Sequence, residues 1–88
     1  MNVFSQNNMT VFQFETSITG DHSITLQNKL KQLIDEGKSD FLFQMENVEN
    51  IDTTGICAFI TLKKQCGEKG KIEFQGTQEP IALLLKYI

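Results

Sequence analysis

The spacing of apolar residues along the chain changes period several times, and each change marks an element. Val3-Phe4-Ser5 and the stretch from Met9 to Ile18 read as strands, with the turn-forming Gln6-Asn7-Asn8 between them. In the second strand Phe12, Phe14, Thr16 and Ile18 alternate with Val11, Gln13, Glu15 and Ser17, a period of two that points the phenylalanine face inward. Thr19-Gly20-Asp21-His22-Ser23 then reads as a loop holding several potential N-cap residues. From Ile24 the spacing is helical. Leu26, Leu30, Leu33 and Ile34 form one apolar stripe, Lys29, Lys31, Gln32 and Asp35 lie opposite, and Gly37 is placed to stop the helix. Phe41-Leu42-Phe43-Gln44-Met45 is short and nearly continuously apolar, which suits an interior strand covered on both faces.

An acidic loop follows from Glu46 to Asp52, punctuated by Val48 and Ile51. Asp52-Thr53-Thr54-Gly55 opens directly into the apolar Ile56-Cys57-Ala58-Phe59-Ile60, so a helix begins here and runs to about Glu68. Lys63, Lys64 and Lys69 suit the negative end of its dipole, and Gly67 and Gly70 bracket its end. Lys71-Ile72-Glu73-Phe74-Gln75 alternates again as a strand, closed by Gly76. Pro80 fits the first turn of a last helix whose stripe is Ile81, Leu84, Leu85 and Ile88. The order β-β-α-β-α-β-α predicts an α/β fold: one domain over residues 1–88, with an N-terminal strand and turn at 1–8. Its sheet should be mixed but mostly parallel, with helices packed on it.

Composition narrows the function. The chain has 88 residues, a net charge of −3, eight basic residues that are all lysine, and 22% charged residues against 40% hydrophobic ones. That suffices for a single modest core and excludes a disordered chain. An acidic chain without arginine is a poor nucleic-acid binder, since phosphates must be neutralised. No apolar run reaches the ~18–20 residues of a membrane span, so no direct membrane insertion is expected. Cys57 and Cys66 lie nine positions apart on one helix, about 13.5 Å along its axis and on opposite sides, which forbids a disulfide between them. Reduced cysteines fit a cytoplasmic protein.

Candidate chemistry is sparse. Gly67-Glu68-Lys69-Gly70-Lys71 has the wrong spacing for a phosphate loop and ends a helix instead of beginning one. His22 has no histidine or cysteine partner in sequence, and Glu46, Glu49 and Asp52 lack the alternation and glycine of a calcium loop. The expectation is therefore a protein without catalytic residues, cofactor or metal. What remains is Asp52-Thr53-Thr54-Gly55 at a strand-to-helix junction. Free backbone N–H groups at a helix N-terminus favour an oxygen or phosphate, although the same residues also make an ordinary capping turn.

Val48-Glu49-Asn50-Ile51-Asp52-Thr53-Thr54-Gly55-Ile56 resembles the signature of STAS domains: apolar, two residues, apolar, Asp, two hydroxyl residues, Gly, apolar. The likeness runs from about residue 10 to residue 88, through the Leu26–Ile34 helix, the Phe41–Met45 strand, Lys69-Gly70-Lys71-Ile72 and Phe74-Gln75-Gly76. The family includes antagonists of bacterial anti-sigma factors, which switch partners when a kinase-like anti-sigma factor phosphorylates the first hydroxyl residue after the aspartate. Carried over, the resemblance implies Thr53 as phosphoacceptor. Asp52, Thr54, Gly55, Ile56 and Glu49 would surround it on the partner-binding surface, flanked by Glu46 and Lys63. The chain departs from the family at Thr16-Ser17-Ile18-Thr19, where a Gly-x-Leu-Asp segment is usual. Its shortness, its threonine and its Leu84-Leu85-Lys86-Tyr87 tail also resemble the small STAS subunits of lipid-transporting ABC complexes. In that branch the helix carrying the threonine docks on the transporter ATPase.

Overall fold

The computed structural model describes residues 1–86. Asn7 and Asn8 both have positive φ, 53° and 66°, the backbone that a two-residue hairpin turn requires to match strand twist. They fold β1 (Asn2–Gln6) onto β2 (Met9–Gln13) antiparallel, with Gln6 opposite Met9. β3 (Phe41–Gln44) lies parallel to β2, and β4 (Ile72–Gln75) lies parallel to β3. The sheet order is β1-β2-β3-β4, mixed through its single hairpin, as the element order implied. Helices α1 (Asp21–Asp35), α2 (Thr53–Cys66) and α3 (Glu79–Leu85) complete the chain.

Each crossover, β2-α1-β3 and β3-α2-β4, steps the sheet one strand in the same direction. Right-handed connections then set both helices on one face. The core agrees: Phe12, Phe41 and Phe43 point to that face and form one buried cluster with Leu26, Leu30 and Leu33 of α1 and Ala58, Phe59 and Leu62 of α2. Phe43 sits at its centre, with ring centroids 4.9 Å from Phe59, 5.1 Å from Phe12 and 5.3 Å from Phe74. This corrects the expectation that β3 is covered on both faces. Leu42 and Gln44 are only partly buried, on a second face where Phe4, Val11, Leu42 and Glu73 align across the four strands. The run looked doubly covered because an apolar residue stood on each face.

Several boundaries also move. β2 ends at Gln13, not Ile18, because regular pairing with β3 stops there; beyond it the segment is held by side-chain hydrogen bonds from Asn47 to the Phe14 carbonyl and from Glu49 and Asn50 to the Ser17 hydroxyl, and by an isolated parallel bridge between Ile18 and Ile51. Thr16 is accordingly exposed, while Val11 of the opposite face is buried. α1 starts at Asp21 within the expected loop, and His22 is an exposed residue of its first turn. Its end follows the sequence reading. Gly37 at φ +88° lets its own N–H reach the Ile34 carbonyl and the Lys38 N–H reach that of Leu33, the two-bond glycine cap. α2 ends at Cys66, two residues short of Glu68. Pro80 lies in the first turn of α3, where Ile81 is buried and Leu85 partly so, but Leu84 is 47% exposed, contrary to its place in the predicted stripe. Ile88 and Tyr87 lie outside the described residues.

Both cysteines are free, Cys57 exposed and Cys66 buried. Burial raises the Cys66 thiol pKa, and its Sγ faces the Lys38 carbonyl at 3.7 Å.

Candidate functional site

The N-terminus of α2 is built on the Ile18–Ile51 bridge. Ile18 donates to the Asn50 carbonyl and accepts from the Asp52 N–H, both at 3.0 Å, which carries the chain from sheet to helix beside the segment that leads into α1. Asp52 is the N-cap, in extended backbone with φ −92° and ψ 177°. Its Oδ1 accepts the Gly55 N–H at 2.9 Å. The same oxygen accepts the hydroxyl of Ser23, a fully buried residue in the first turn of α1. Oδ2 accepts the Gly20 N–H at 2.8 Å. One carboxylate thus ties the starts of both long helices together. These bonds, the Ser23 hydroxyl first and then the Gly55 and Gly20 N–H groups, hold the Asp52 carboxyl below the usual aspartate range.

Gly55 allows the close approach. A Cβ there would lie 2.8 Å from Ile18 Cγ2, 2.8 Å from Ile51 Cγ1 and 3.3 Å from the Ile18 carbonyl oxygen. Gly55→Ala should therefore destabilise the domain. Overpacking of about 1–3 kcal/mol exceeds the ~1 kcal/mol that alanine gains in a helix. The net loss should lower the melting temperature by about 4–8 °C for each kcal/mol lost, measured by thermal circular dichroism. An unchanged melt would show that the bridge yields freely.

Thr53 is the first residue of α2 and is exposed, whereas Thr54 and Ile56 are partly buried. Helical spacing sets Thr53, Cys57, Ile60 and Lys64 along one outward line, opposite the buried Gly55, Ala58, Leu62 and Cys66. Glu49 is exposed on the preceding loop, whose backbone is fixed by Ser17 Oγ accepting the Glu49 and Asn50 N–H groups at 3.2 and 3.0 Å. Ser17 belongs to the segment that departs from the family pattern. Glu46 is exposed but lies at the far end of the loop, with its carboxylate against Gly76. Lys63 is exposed toward the C-terminal end of α2. The structure thus brings Asp52, Thr53, Thr54, Gly55 and Ile56 into one cap and keeps Glu46 and Lys63 apart from it. Sequence reasoning missed Gly20 and Ser23. Their only signal was a run of cap-forming residues, whose true acceptor lies 29–32 positions downstream.

Among the described residues there is no group of three or more His, Cys, Asp or Glu placed to hold a metal ion, and no helix is long and apolar enough to cross a membrane.

No curated protein matches the chain by sequence. Among solved structures, the anti-sigma factor antagonist SpoIIAA in its unphosphorylated form is similar to it, with a TM-score of 0.84 and 9% identity over 99% of this chain and 82% of that one. At that identity the likeness establishes the fold. The model of the STAS domain matches residues 1–86, from the first strand through the last described helix, and the chain belongs to the STAS domain family.

Proposed function

We propose that this protein is a non-enzymatic regulatory STAS domain of the anti-sigma factor antagonist type. It binds a kinase-like anti-sigma partner through the N-terminal end of α2 and is switched off by phosphorylation of Thr53. The observation that carries the reading is the setting of Thr53: an exposed hydroxyl residue at the first position of a helix, beside a carboxylate that clamps two helix starts. Membership of the family and the fold shared with an anti-sigma factor antagonist support it. Glu49 and the outward line of α2 form the contact surface, and the working compartment is the cytoplasm.

Phosphopeptide mapping after incubation with the cognate kinase and labelled ATP tests this. Label should appear on Thr53 and not on the partly buried Thr54. Label on Thr54, or none with a kinase shown to be active, would overturn it.

One observation favours a second reading. Near Thr53 the outward face of α2 is uncharged, with Ile56, Cys57 and Ile60 before Lys64. Such a face also suits the small STAS subunit of a phospholipid-transporting ABC complex, docked on its ATPase by the Thr53 helix, with the threonine as an uncharged contact.

A further inference from the structure

β1 forms one edge of the sheet and β4 the other. The neighbour of β1 fixes which of its backbone groups remain free. Thr10 donates its N–H to the Asp40 carbonyl at 2.9 Å and Phe14 donates to that of Gln44 at 3.5 Å, so the even-numbered residues of β2 bond toward β3. Met9, Val11 and Gln13 therefore bond toward β1, where they face Gln6, Phe4 and Asn2. The N–H and C=O groups of Val3 and Ser5 are left pointing out of the sheet edge, with no hydrogen-bond partner among the described residues.

An open edge is a template for another strand, and folded proteins blunt it with charge, proline or a bulge. β1 has none of these. Asn2-Val3-Phe4-Ser5-Gln6 is uncharged, its register with β2 is unbroken, and all of its residues except Val3 are exposed. Phe4 is 37% exposed, on the sheet face away from the helices. The other edge differs. There Phe41 and Met45 donate to the Lys71 and Gln75 carbonyls at 2.8 Å, so Ile72 and Phe74 hold the outward groups, with Glu73 between them. Two β4 strands paired about that residue would set carboxylate against carboxylate.

We propose that β1 pairs with β1 of a second copy of this chain, antiparallel about a two-fold axis at Phe4, giving one sheet continuous across both copies. The outward groups select this register. Val3 of each copy stands opposite Ser5 of the other, and each such pair exchanges both of its N–H···O bonds. Phe4 meets Phe4 at the closer, non-hydrogen-bonded position, where the two rings cover each other on the open face. Asn2 meets Gln6, an uncharged pair. The strand thus complements itself: every outward donor finds an acceptor, and no charge opposes a like charge. A two-fold contact of this kind closes on itself and leaves no β1 edge exposed. The dimer forms from the free chain alone, so its test is separate from that of the Thr53 switch.

Sedimentation equilibrium and amide NMR of the full chain, between about 20 µM and about 1 mM, test the contact. A five-residue edge is smaller than a standard interface, so the dissociation constant should be on the order of 100 µM. On dilution the amide signals of Val3, Phe4 and Ser5 should move most. Isotope-filtered spectra of mixed labelled and unlabelled chain should show contacts between Phe4 residues of different copies. Ser5→Pro removes an outward donor and sets its ring in the contact, while the bonds to β2 remain. Phe4→Lys alters only an exposed side chain and sets like charges opposite each other, so it decides the matter should Ser5→Pro fail to fold. Each folded variant should keep the wild-type circular dichroism spectrum and dimerise at least about tenfold more weakly. A wild type still monomeric at about 1 mM would overturn the proposal and leave the edge to a strand of another protein. A dimer that survives Phe4→Lys, dilution shifts centred on β4 or α2, or assembly beyond the dimer would each overturn it as well.

Discussion

Thr53→Glu should bind the anti-sigma partner at least tenfold more weakly than wild type while keeping its folded spectrum, and Thr53→Ala should still bind. Two effects compete at this position. The N-terminus of α2 stabilises an added anion by roughly 0.3–1 kcal/mol, so the fold tolerates glutamate or phosphate there. Against that, Asp52 is adjacent and held ionised by its three donors, and Glu49 is exposed on the loop before it. Like charges a few ångströms apart repel weakly in water and more strongly once a packed interface excludes water and salt from them. A packed interface would also strip water from the new charge, and the chain has no arginine to pair with it. At the interface, repulsion and desolvation exceed the helix contribution, and even a residue of the difference, about 1.4 kcal/mol, is tenfold. Calorimetric titration of both variants against the partner measures it. Equal binding by Thr53→Glu would refute the repulsion argument. Loss of binding in both variants would move the chain to the ATPase-docking branch, where the threonine contact itself is required.

The element order was legible because each helix and strand carries its own period, and period is a local property. The hydrophobic stripe of α1, the Asn7-Asn8 turn, Gly37 and Pro80 all act within a few residues of themselves. What failed was non-local. Whether Leu42 faces a second layer depends on the order in which strands join the sheet, and nothing inside Phe41–Met45 encodes that order. β2 stops at Gln13 because regular pairing with β3 ends there, so the alternation that continues to Ile18 is real but is met by single contacts, Phe14 in the core and Ile18 at its bridge, instead of by a strand ladder. Leu84 fits the periodic stripe yet stays exposed, since a seven-residue helix at the sheet edge covers little with its second face. The motif at 52–55 could be read as either a cap or an anion site. The structure shows the cap directly, and the cap joins residues that lie 29 and 32 positions from Asp52.

That joint makes Asp52 the residue whose removal should most disturb the candidate site. In Asp52→Ala the buried Ser23 hydroxyl loses its acceptor, which alone costs about 1–3 kcal/mol, or at least about 4 °C in melting temperature for a domain of this size. Loss of the Gly55 cap and the Gly20 tie adds to it. Asp52→Asn isolates the charge. Its amide oxygen can still accept from Ser23 and Gly55, while its NH₂ meets the Gly20 N–H, donor against donor. The pH dependence follows from the lowered carboxyl. Folding favours the ionised form, so its contribution is complete above the unfolded value of about 4 and is lost as pH falls through the lower folded value. The stability gap between wild type and Asp52→Asn, from urea unfolding, should therefore be constant between about pH 5 and 8 and narrow below about pH 4. Ser23→Ala should reproduce part of the loss and weaken the pH dependence, because the Ser23 bond contributes most to the lowering. A gap that persists unchanged into strong acid would show that the carboxylate does not clamp the two helix starts as an ion.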